Sequence, residues 1–214
     1  MRTKFIQKRL RYFKRWQKRN KFKLTVLIVL FLSAAFAYAG YMGNQRLSVN
    51  PKSYTPLLNL IGKGESNGNY NAYYGNPRNT EIKFTDMSIS AVMRWQKEYV
   101  ATGSPSSAVG RYQIISGTLQ GLVTQLNLDM NQKFDEQTQD AMAIALLERR
   151  GSIEYVNQEL SKEDFAANLA KEWAALPKVI GENPEQSYYA NDGLNKSRIE
   201  SRAVLRAIEP ITAH

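Results

Sequence analysis

The sequence predicts a mainly α-helical domain with a small β-hairpin or irregular insert, preceded by one N-terminal transmembrane helix. Three observations support this fold class. Residues 24–43 contain no charged side chain, and residues 57–208 carry repeated apolar stripes at helical spacing. Residues 68–86 are rich in Asn, Tyr, Gly and Thr and lack that spacing, so the hairpin or irregular insert is expected there.

The uncharged run of residues 24–43 follows a basic arm, residues 1–23. At about 1.5 Å per residue, a helix of twenty residues just crosses a hydrocarbon core of about 30 Å. The arm holds eleven Lys or Arg and no acidic residue, which predicts a cytoplasmic N-terminus and an exported remainder. Ala37-Tyr38-Ala39 also fits a signal cleavage site. The long arm favours a retained anchor over a cleaved signal, and we rank release of the weakly hydrophobic segment third.

The excess positive charge lies entirely before the predicted domain. The whole chain has a net charge of +10, but residues 47–214 contain 17 basic and 19 acidic groups, a net charge of −2. This distribution argues against a nucleic-acid-binding domain. The arm mixes bases with aromatic residues, which predicts an amphipathic helix on the anionic inner leaflet. DNA binding by the arm is the less favoured alternative, and no nucleic-acid partner is expected.

Between the span and the domain, residues 44–55 show no periodicity and predict a linker. The domain is predicted to cover residues 56–214. Its first helix carries Leu57, Leu58 and Ile61, and its last helix is predicted over residues 194–208. Four residues are predicted to cap the helices between them, namely Ser88, Thr118, Asp135 and Ser161.

Composition restricts the chemistry of any active site. The chain has no Cys, and its one His is the last residue, His214. The absence of Cys therefore excludes a disulfide scaffold and a thiolate site, and the single terminal His argues against a His-based triad or a two-His zinc site. No cofactor and no metal is expected. Acid–base chemistry must be carried out by carboxylates, Lys or Tyr.

Glu65 is the leading candidate for that chemistry. It follows Leu58 by seven residues and Ile61 by four, so a continuing helix places its carboxyl group on the apolar face. It also lies near the helix C-terminus. Burial and the helix dipole both disfavour the charged form, so both are expected to raise the pKa of Glu65 towards that of a general acid. The alternative is an exposed glutamate at a helix end.

Six short stretches occur in an order and spacing typical of one family. They are Leu58–Glu65, Phe84–Asp86, Ala108–Ile114, Gln137–Ala141, Glu148–Gly151 and Trp173–Pro177. With them the chain resembles the lambda-type phage endolysins, a family of lysozyme-like lytic transglycosylases, over most of residues 57–180. The most specific stretch is Gly-Arg-Tyr-Gln at residues 110–113. It is also similar to the Gly-x-x-Gln loop of the soluble lytic transglycosylases.

The resemblance implies an α+β lysozyme-like fold for residues 56–214 and cleavage of peptidoglycan between N-acetylmuramic acid and N-acetylglucosamine. Glu65 matches the family's catalytic glutamate. Tyr112 and Gln113 match residues of the cleft wall. We expect Trp173 to pack in the core and Gly110 to form a turn with positive φ.

Three further residues are candidates for substrate binding. Arg111 and Asp86 fall in matched stretches and are either substrate-binding or structural. Tyr73 belongs to the loosely similar insert, where tyrosines either stack on sugars or form an ordinary polar hairpin. Peptidoglycan strands are the expected partner, and partners in an envelope or virion fit the same sequence.

Two functional questions stay open at the level of sequence. Hydrolysis of a glycosidic bond usually employs two carboxylates, but the next acidic residues after Glu65 are Glu81 and Asp86. One glutamate acting as acid and then as base predicts a transglycosylase with 1,6-anhydro products, whereas a second carboxylate folded into the cleft would favour a hydrolase. The other class of function is a glycan-binding module with a weak or inactive site. Either protein would be a single-pass inner membrane protein with its domain in the periplasm, suited to phage lysis or entry or to localised wall opening.

Overall fold

The computed structural model describes residues 47–193 and 195–213. Within them lie seven α-helices and three short 3-10 helices, formed by Pro51–Tyr54, Phe84–Asp86 and Ala190–Asp192. The α-helices are α1 (Thr55–Ser66), α2 (Ile89–Ala101), α3 (Ser116–Gln125), α4 (Glu136–Arg149), α5 (Ser152–Val156), α6 (Lys162–Ala170) and α7 (Ser201–Ile208). The prediction of a mainly α-helical domain is confirmed.

Helix α1 carries the candidate acid and is held by the core on its apolar side. Leu57 and Ile61 are fully buried, and α1 packs against α7, which in turn packs against α6. Trp173 is buried as predicted, in the segment that follows α6. The apolar face of α1 therefore fixes the direction in which its last turn, with Glu65, points.

The insert between α1 and α2 is irregular. Its β-pairing consists of isolated bridges from Tyr73 to Asn76 and to Val109, and no longer strand occurs in the described part of the chain. Asparagine side chains bond the backbone in place of a sheet: Asn79 Nδ2 donates to the carbonyls of Asn71 (2.6 Å) and Ile82 (2.7 Å). Asn69 Nδ2 donates to the Asn79 carbonyl at 2.8 Å. Of the two predicted forms, the irregular insert is confirmed, because these amides satisfy the backbone locally.

Three of the four predicted caps are confirmed. Ser88, Asp135 and Ser161 each accept a hydrogen bond from the backbone N–H three residues further on, at 3.2, 2.8 and 3.0 Å. The prediction for Thr118 is wrong, because α3 begins at Ser116. There the hydroxyl of Ser107 accepts the Ser116 N–H at 2.9 Å. A distant side chain has replaced the local cap, and sequence spacing does not reveal it.

The last helix is shorter than predicted, since α7 begins at Ser201 and not at residue 194. Residues 195–200 are not helical. The Arg198 N–H donates to the Ala175 carbonyl at 2.9 Å, and the Ser201 N–H donates to Glu185 Oε2 at 3.0 Å. These long-range bonds replace helical ones and place residues 195–200 beside the end of α1.

The predicted linker, residues 44–55, contributes to the domain from Leu47 onwards. Asn157 Oδ1 accepts the Leu47 N–H at 3.0 Å, and Val49 is buried and bridged to Ala213. The buried Tyr54 hydroxyl lies 2.6 Å from Ser152 Oγ. Residues 47–55 therefore contribute to the domain that was predicted to start at residue 56, because Val49 and Tyr54 supply core side chains that the polar composition concealed.

Within the described ranges no helix is both long and apolar enough to cross a membrane. The predicted span, residues 24–43, and the basic arm, residues 1–23, lie outside those ranges.

Candidate active site

Glu65 lies in the last turn of α1, which continues through Gly62 and Gly64 to Ser66. Asn67 ends the helix in the left-handed conformation with φ of 55°. At Gly64 the requirement is space: a Cβ there would lie 3.0 Å from Ala175 Cβ and 3.1 Å from Ile199 Cγ1. Glycine thus lets two distant segments approach α1 beside the carboxyl group of Glu65.

Those two segments hold the carboxyl group and its helix turn. Glu65 Oε1 accepts the Ala175 N–H at 2.9 Å, and the Ala175 carbonyl accepts the Arg198 N–H. Arg198 Nη1 donates to the Gly64 carbonyl at 3.1 Å. Ala175 is itself buried, between the buried residues Trp173 and Leu176 of the core. The carboxyl group is therefore oriented by backbone that the core keeps in place.

Burial is the largest influence on the Glu65 carboxyl group and raises its pKa above the ordinary value of glutamate. The Ala175 N–H and the positive charge of Arg198 act in the opposite direction, and both effects are smaller. Burial, one of the two predicted causes, thus keeps the carboxyl group protonated to a higher pH than an exposed glutamate.

A cavity of about 370 Å³ opens onto Glu65. It is lined by Lys63, Gly64, Glu65, Asn67, Pro77, Arg198 and Ile199. Among the described residues Glu65 is the only carboxyl group on its wall, and Lys63 and Arg198 supply two cations. Sequence spacing does not predict that Arg198 and Ile199 line this cavity, because more than a hundred residues separate them from α1.

Arg111 and Tyr112 belong to a polar network with Tyr70 and Asp140. Arg111 Nη1 donates to the Tyr70 hydroxyl at 2.7 Å and lies 3.6 Å from Asp140 Oδ1. The Tyr112 hydroxyl donates to the same oxygen at 2.6 Å. Burial and Asp140 both raise the pKa of Tyr112. Because Tyr112 is only 1% exposed, its ring is a core group and does not lie on the cavity wall, where substrate contact was predicted.

The other predicted substrate-binding residues also lie away from the cavity wall. Gln113 has φ of 48°, and its Nε2 donates to the Gly110 carbonyl at 2.9 Å, which closes the turn. Asp86 is exposed at the end of a 3-10 helix. Tyr73 packs edge-on against Trp95 and Tyr99, with ring centroids 5.2 and 5.3 Å apart. The structure thus brings Glu65 to the cavity, whereas the other five predicted residues do not line it, namely Arg111, Tyr112, Gln113, Asp86 and Tyr73.

We expect Tyr112→Phe to lower the free energy of unfolding by about 1–2 kcal/mol, because a buried hydrogen bond to a carboxylate is lost. The KM for peptidoglycan strands should change less than about twofold, since the ring does not line the cavity. Urea denaturation and initial rates on purified sacculi check the two expectations. A raised KM at unchanged stability would instead show that Tyr112 contacts substrate.

The Arg198 charge offers a test of the electrostatics at Glu65. Arg198 lowers the pKa of Glu65, so Arg198→Gln should raise it and move the basic limb of the kcat/KM profile to higher pH. Initial rates at low substrate concentration across the pH range measure the limb. Arg206→Gln, which removes an exposed cation from α7 away from the cavity, is the matched control and should leave the limb in place. A limb that stays or moves to lower pH in Arg198→Gln would contradict the assignment.

The fold and the cavity define a helical domain in which, among the described residues, Glu65 is the one carboxyl group that lines the pocket. The family model described as Endolysin matches residues 62–197, which is more than half of the chain. The chain therefore belongs to the endolysin family and is a peptidoglycan-cleaving enzyme.

Two solved structures are similar to the chain. One is bacteriophage lambda lysozyme complexed with a chitohexasaccharide, at 16% identity and a TM-score of 0.46. The other is a lysozyme from bacteriophage lambda, at 15% identity and a TM-score of 0.45. Each match covers 78% of this chain and 99% of the other. No curated protein matches the chain.

Within the described residues no three His, Cys, Asp or Glu side chains are grouped in a way that could hold a metal ion.

Proposed function

We propose that the protein is a lytic transglycosylase that cleaves peptidoglycan between N-acetylmuramic acid and N-acetylglucosamine, with Glu65 as both acid and base. One observation carries this proposal. Glu65 is the only carboxyl group that lines the cavity within the described ranges, and its environment raises its pKa. A lone carboxylic acid with a raised pKa suits proton donation to a glycosidic oxygen.

In the first step Glu65 acts as the acid. Because Oε1 accepts the Ala175 N–H, the proton of the neutral acid resides on Oε2. Oε2 donates this proton to the glycosidic oxygen while the bond from that oxygen to C1 of muramic acid breaks. The N-acetylglucosamine residue leaves with a free hydroxyl group, and positive charge develops at C1 beside the Glu65 carboxylate.

In the second step the Glu65 carboxylate acts as the base. It takes the proton of the C6 hydroxyl of the same muramic acid, and O6 forms a bond to C1. The product is a 1,6-anhydro ring, no water is consumed, and Glu65 is protonated again. The Ala175 N–H and the Arg198 charge, which lower the pKa of Glu65, stabilise the carboxylate between the two steps.

The position of the other early acidic residues supports this scheme over hydrolysis. A hydrolase of this kind usually has a second carboxyl group about 5–10 Å from the first, acting as nucleophile or base. The two acidic residues that follow Glu65, Glu81 and Asp86, are exposed and do not line the cavity. Mass spectrometry of digested sacculi tests the scheme, because products heavier than anhydro-muropeptides by one water would identify a hydrolase.

The proposal includes a location, which rests on the sequence alone. The basic arm of residues 1–23 stays in the cytoplasm against anionic lipid, residues 24–43 span the inner membrane, and the enzyme domain acts from the periplasm on nearby strands. Such an enzyme suits phage lysis or entry, or local opening of the wall with envelope or virion partners. Western blots of membrane and soluble fractions test the anchor, and a shortened soluble species would contradict it.

A further inference from the structure

We propose that Lys63 and Arg198 form a carboxylate-binding subsite that recognises the acidic substituent of the muramic acid residue at the scissile bond. This inference rests on the proposed function, because it assigns the substrate preference of the same cavity. It identifies a group on the substrate, whereas the mechanism above concerns only the sugar ring and Glu65.

The two cations lie on the same cavity wall as the candidate acid. Both line the cavity that contains Glu65, although one belongs to the last turn of α1 and the other to residues 195–200. Arg198 is held by its N–H to the Ala175 carbonyl and by Nη1 to the Gly64 carbonyl at 3.1 Å. The backbone and one nitrogen of Arg198 are thus fixed, while its remaining guanidinium donors are available to a ligand.

The charges of Lys63 and Arg198 are not neutralised by acidic side chains of the described residues. Throughout the described part of the chain, neither Lys63 nor Arg198 forms an ion pair within 4.0 Å. The remaining neighbours on the cavity wall, Gly64, Asn67, Pro77 and Ile199, carry no charge. When Glu65 is protonated for catalysis, the cavity holds two positive charges and no negative one. A ligand that brings a carboxylate compensates this charge, and a neutral sugar does not.

The two sugars of the glycan differ in charge. N-acetylglucosamine is uncharged, so every carboxylate of a peptidoglycan strand belongs to the substituent on muramic acid. In peptide-free strands this group is the lactyl carboxylate, and in intact strands it is a carboxylate of the stem peptide. Both sources present the same group to Lys63 and Arg198. The subsite would therefore place muramic acid, and not N-acetylglucosamine, on the side of the bond where C1 is attacked.

The experiment compares charged and neutral forms of one substrate. Peptide-free strands and peptide-bearing strands are each used before and after carbodiimide coupling to methylamine, which converts carboxylates to neutral amides. For the strand type whose carboxylate binds the subsite, the full chain in detergent should have a KM about tenfold higher for the amidated form than for the charged form. Each of the two exposed charge pairs is expected to contribute about threefold to the affinity. Lys63→Met and Arg198→Gln should each reduce that ratio by about threefold.

The ratio of the KM for amidated strands to the KM for charged strands is taken within one variant. Effects that act on both substrates, such as a changed pKa of Glu65, therefore cancel. The matched controls Lys97→Met and Arg206→Gln remove exposed cations that do not line the cavity and should retain the tenfold ratio. A preference seen with peptide-free strands alone identifies the lactyl carboxylate. A preference seen with peptide-bearing strands alone identifies the stem peptide.

Equal KM values for charged and amidated strands, or a full preference in Lys63→Met and Arg198→Gln, would overturn the subsite. If the wild type cleaves neither form, the proposed function fails, and cosedimentation with native and amidated sacculi then tests the subsite by itself. Wild-type protein that binds native sacculi more tightly, with the preference lost in both variants, would support the subsite. Equal binding would overturn it.

Discussion

Glu65→Gln is expected to lower the rate of strand cleavage about 10³-fold or more, because the amide can neither donate nor accept the proton that both steps require. Gln retains a carbonyl oxygen that can accept the Ala175 N–H, so the end of α1 and the cavity should keep their shape. Binding to sacculi should therefore persist in the variant. Release of soluble muropeptides measures cleavage, and cosedimentation measures binding.

The same substitution has a predictable effect on stability. The folded state raises the pKa of Glu65 above its unfolded value, so the stability from this group is present at low pH and is lost as pH rises through the folded pKa. Gln has no charged form. The variant should therefore have a higher Tm than the wild type at pH 8, and the difference should shrink towards pH 4.

Asp86→Asn is the matched control for this experiment. Asp86 is exposed and does not line the cavity, so the Asp86→Asn variant should cleave strands at a rate within about twofold of the wild-type rate. Comparable losses in Glu65→Gln and Asp86→Asn would mean that two carboxylates act together, as in a hydrolase. Activity of Glu65→Gln within tenfold of the wild type would exclude Glu65 as the acid.

The candidate acid could be predicted from sequence because its position depends on local periodicity. The spacing from Leu58 and Ile61 to Glu65 fixes one face of one helix, and that face is buried by the core. The caps at Ser88, Asp135 and Ser161 could be predicted for the same reason, because each hydrogen bond joins residues that are three positions apart.

The rest of the cavity depends on contacts between distant segments. Arg198 lies beside α1 because its backbone N–H donates a hydrogen bond to the Ala175 carbonyl. Helical or strand periodicity in the sequence does not predict that pairing. The motif at residues 110–113 predicts where an important turn of the fold lies. It does not predict the directions of the side chains in that turn. Tyr112 faces Asp140 of α4, and Gln113 folds back onto its own turn. Such directions follow from tertiary hydrogen bonds that the sequence does not specify by spacing.

Gly110→Ala is expected to lower the free energy of unfolding by about 2–5 kcal/mol, the sum of backbone strain and a clash with buried side chains. Gly110 has φ of 78°, where an alanine is strained by about 1–2 kcal/mol. Its Cβ would also overlap Gln139 Oε1 and lie 3.1 Å from Phe134 Cε1. Displacing the fully buried Gln139 adds a penalty of about 1–3 kcal/mol for unsatisfied polar groups.

Gln139 explains why this position matters to the site. Its Oε1 accepts the Arg111 N–H at 2.9 Å, and its Nε2 donates to the carbonyls of Tyr70 and Phe134 at 3.1 and 3.0 Å. One buried amide therefore joins the turn at residues 110–113, the insert and the start of α4. The buried Ser66 hydroxyl, next to Glu65, donates to the Arg111 carbonyl at 2.8 Å, so a shift of the turn would reach the end of α1.

Substitutions at two other glycines distinguish backbone strain from the clash with Gln139. Gly103 has φ of 99° with open space around its Cβ position, so Gly103→Ala should show the backbone strain alone, about 1–2 kcal/mol. Gly117 lies in α3 with open space, so Gly117→Ala should be neutral or stabilising by up to about 1 kcal/mol. Urea denaturation gives the three values. If Gly110→Ala and Gly103→Ala lower the free energy of unfolding equally, displacing Gln139 costs no stability. Gln139 is then not the group that holds the turn to α4. A larger loss at Gly110, with cleavage reduced in the protein that remains folded, would show that the turn supports Glu65 through Ser66.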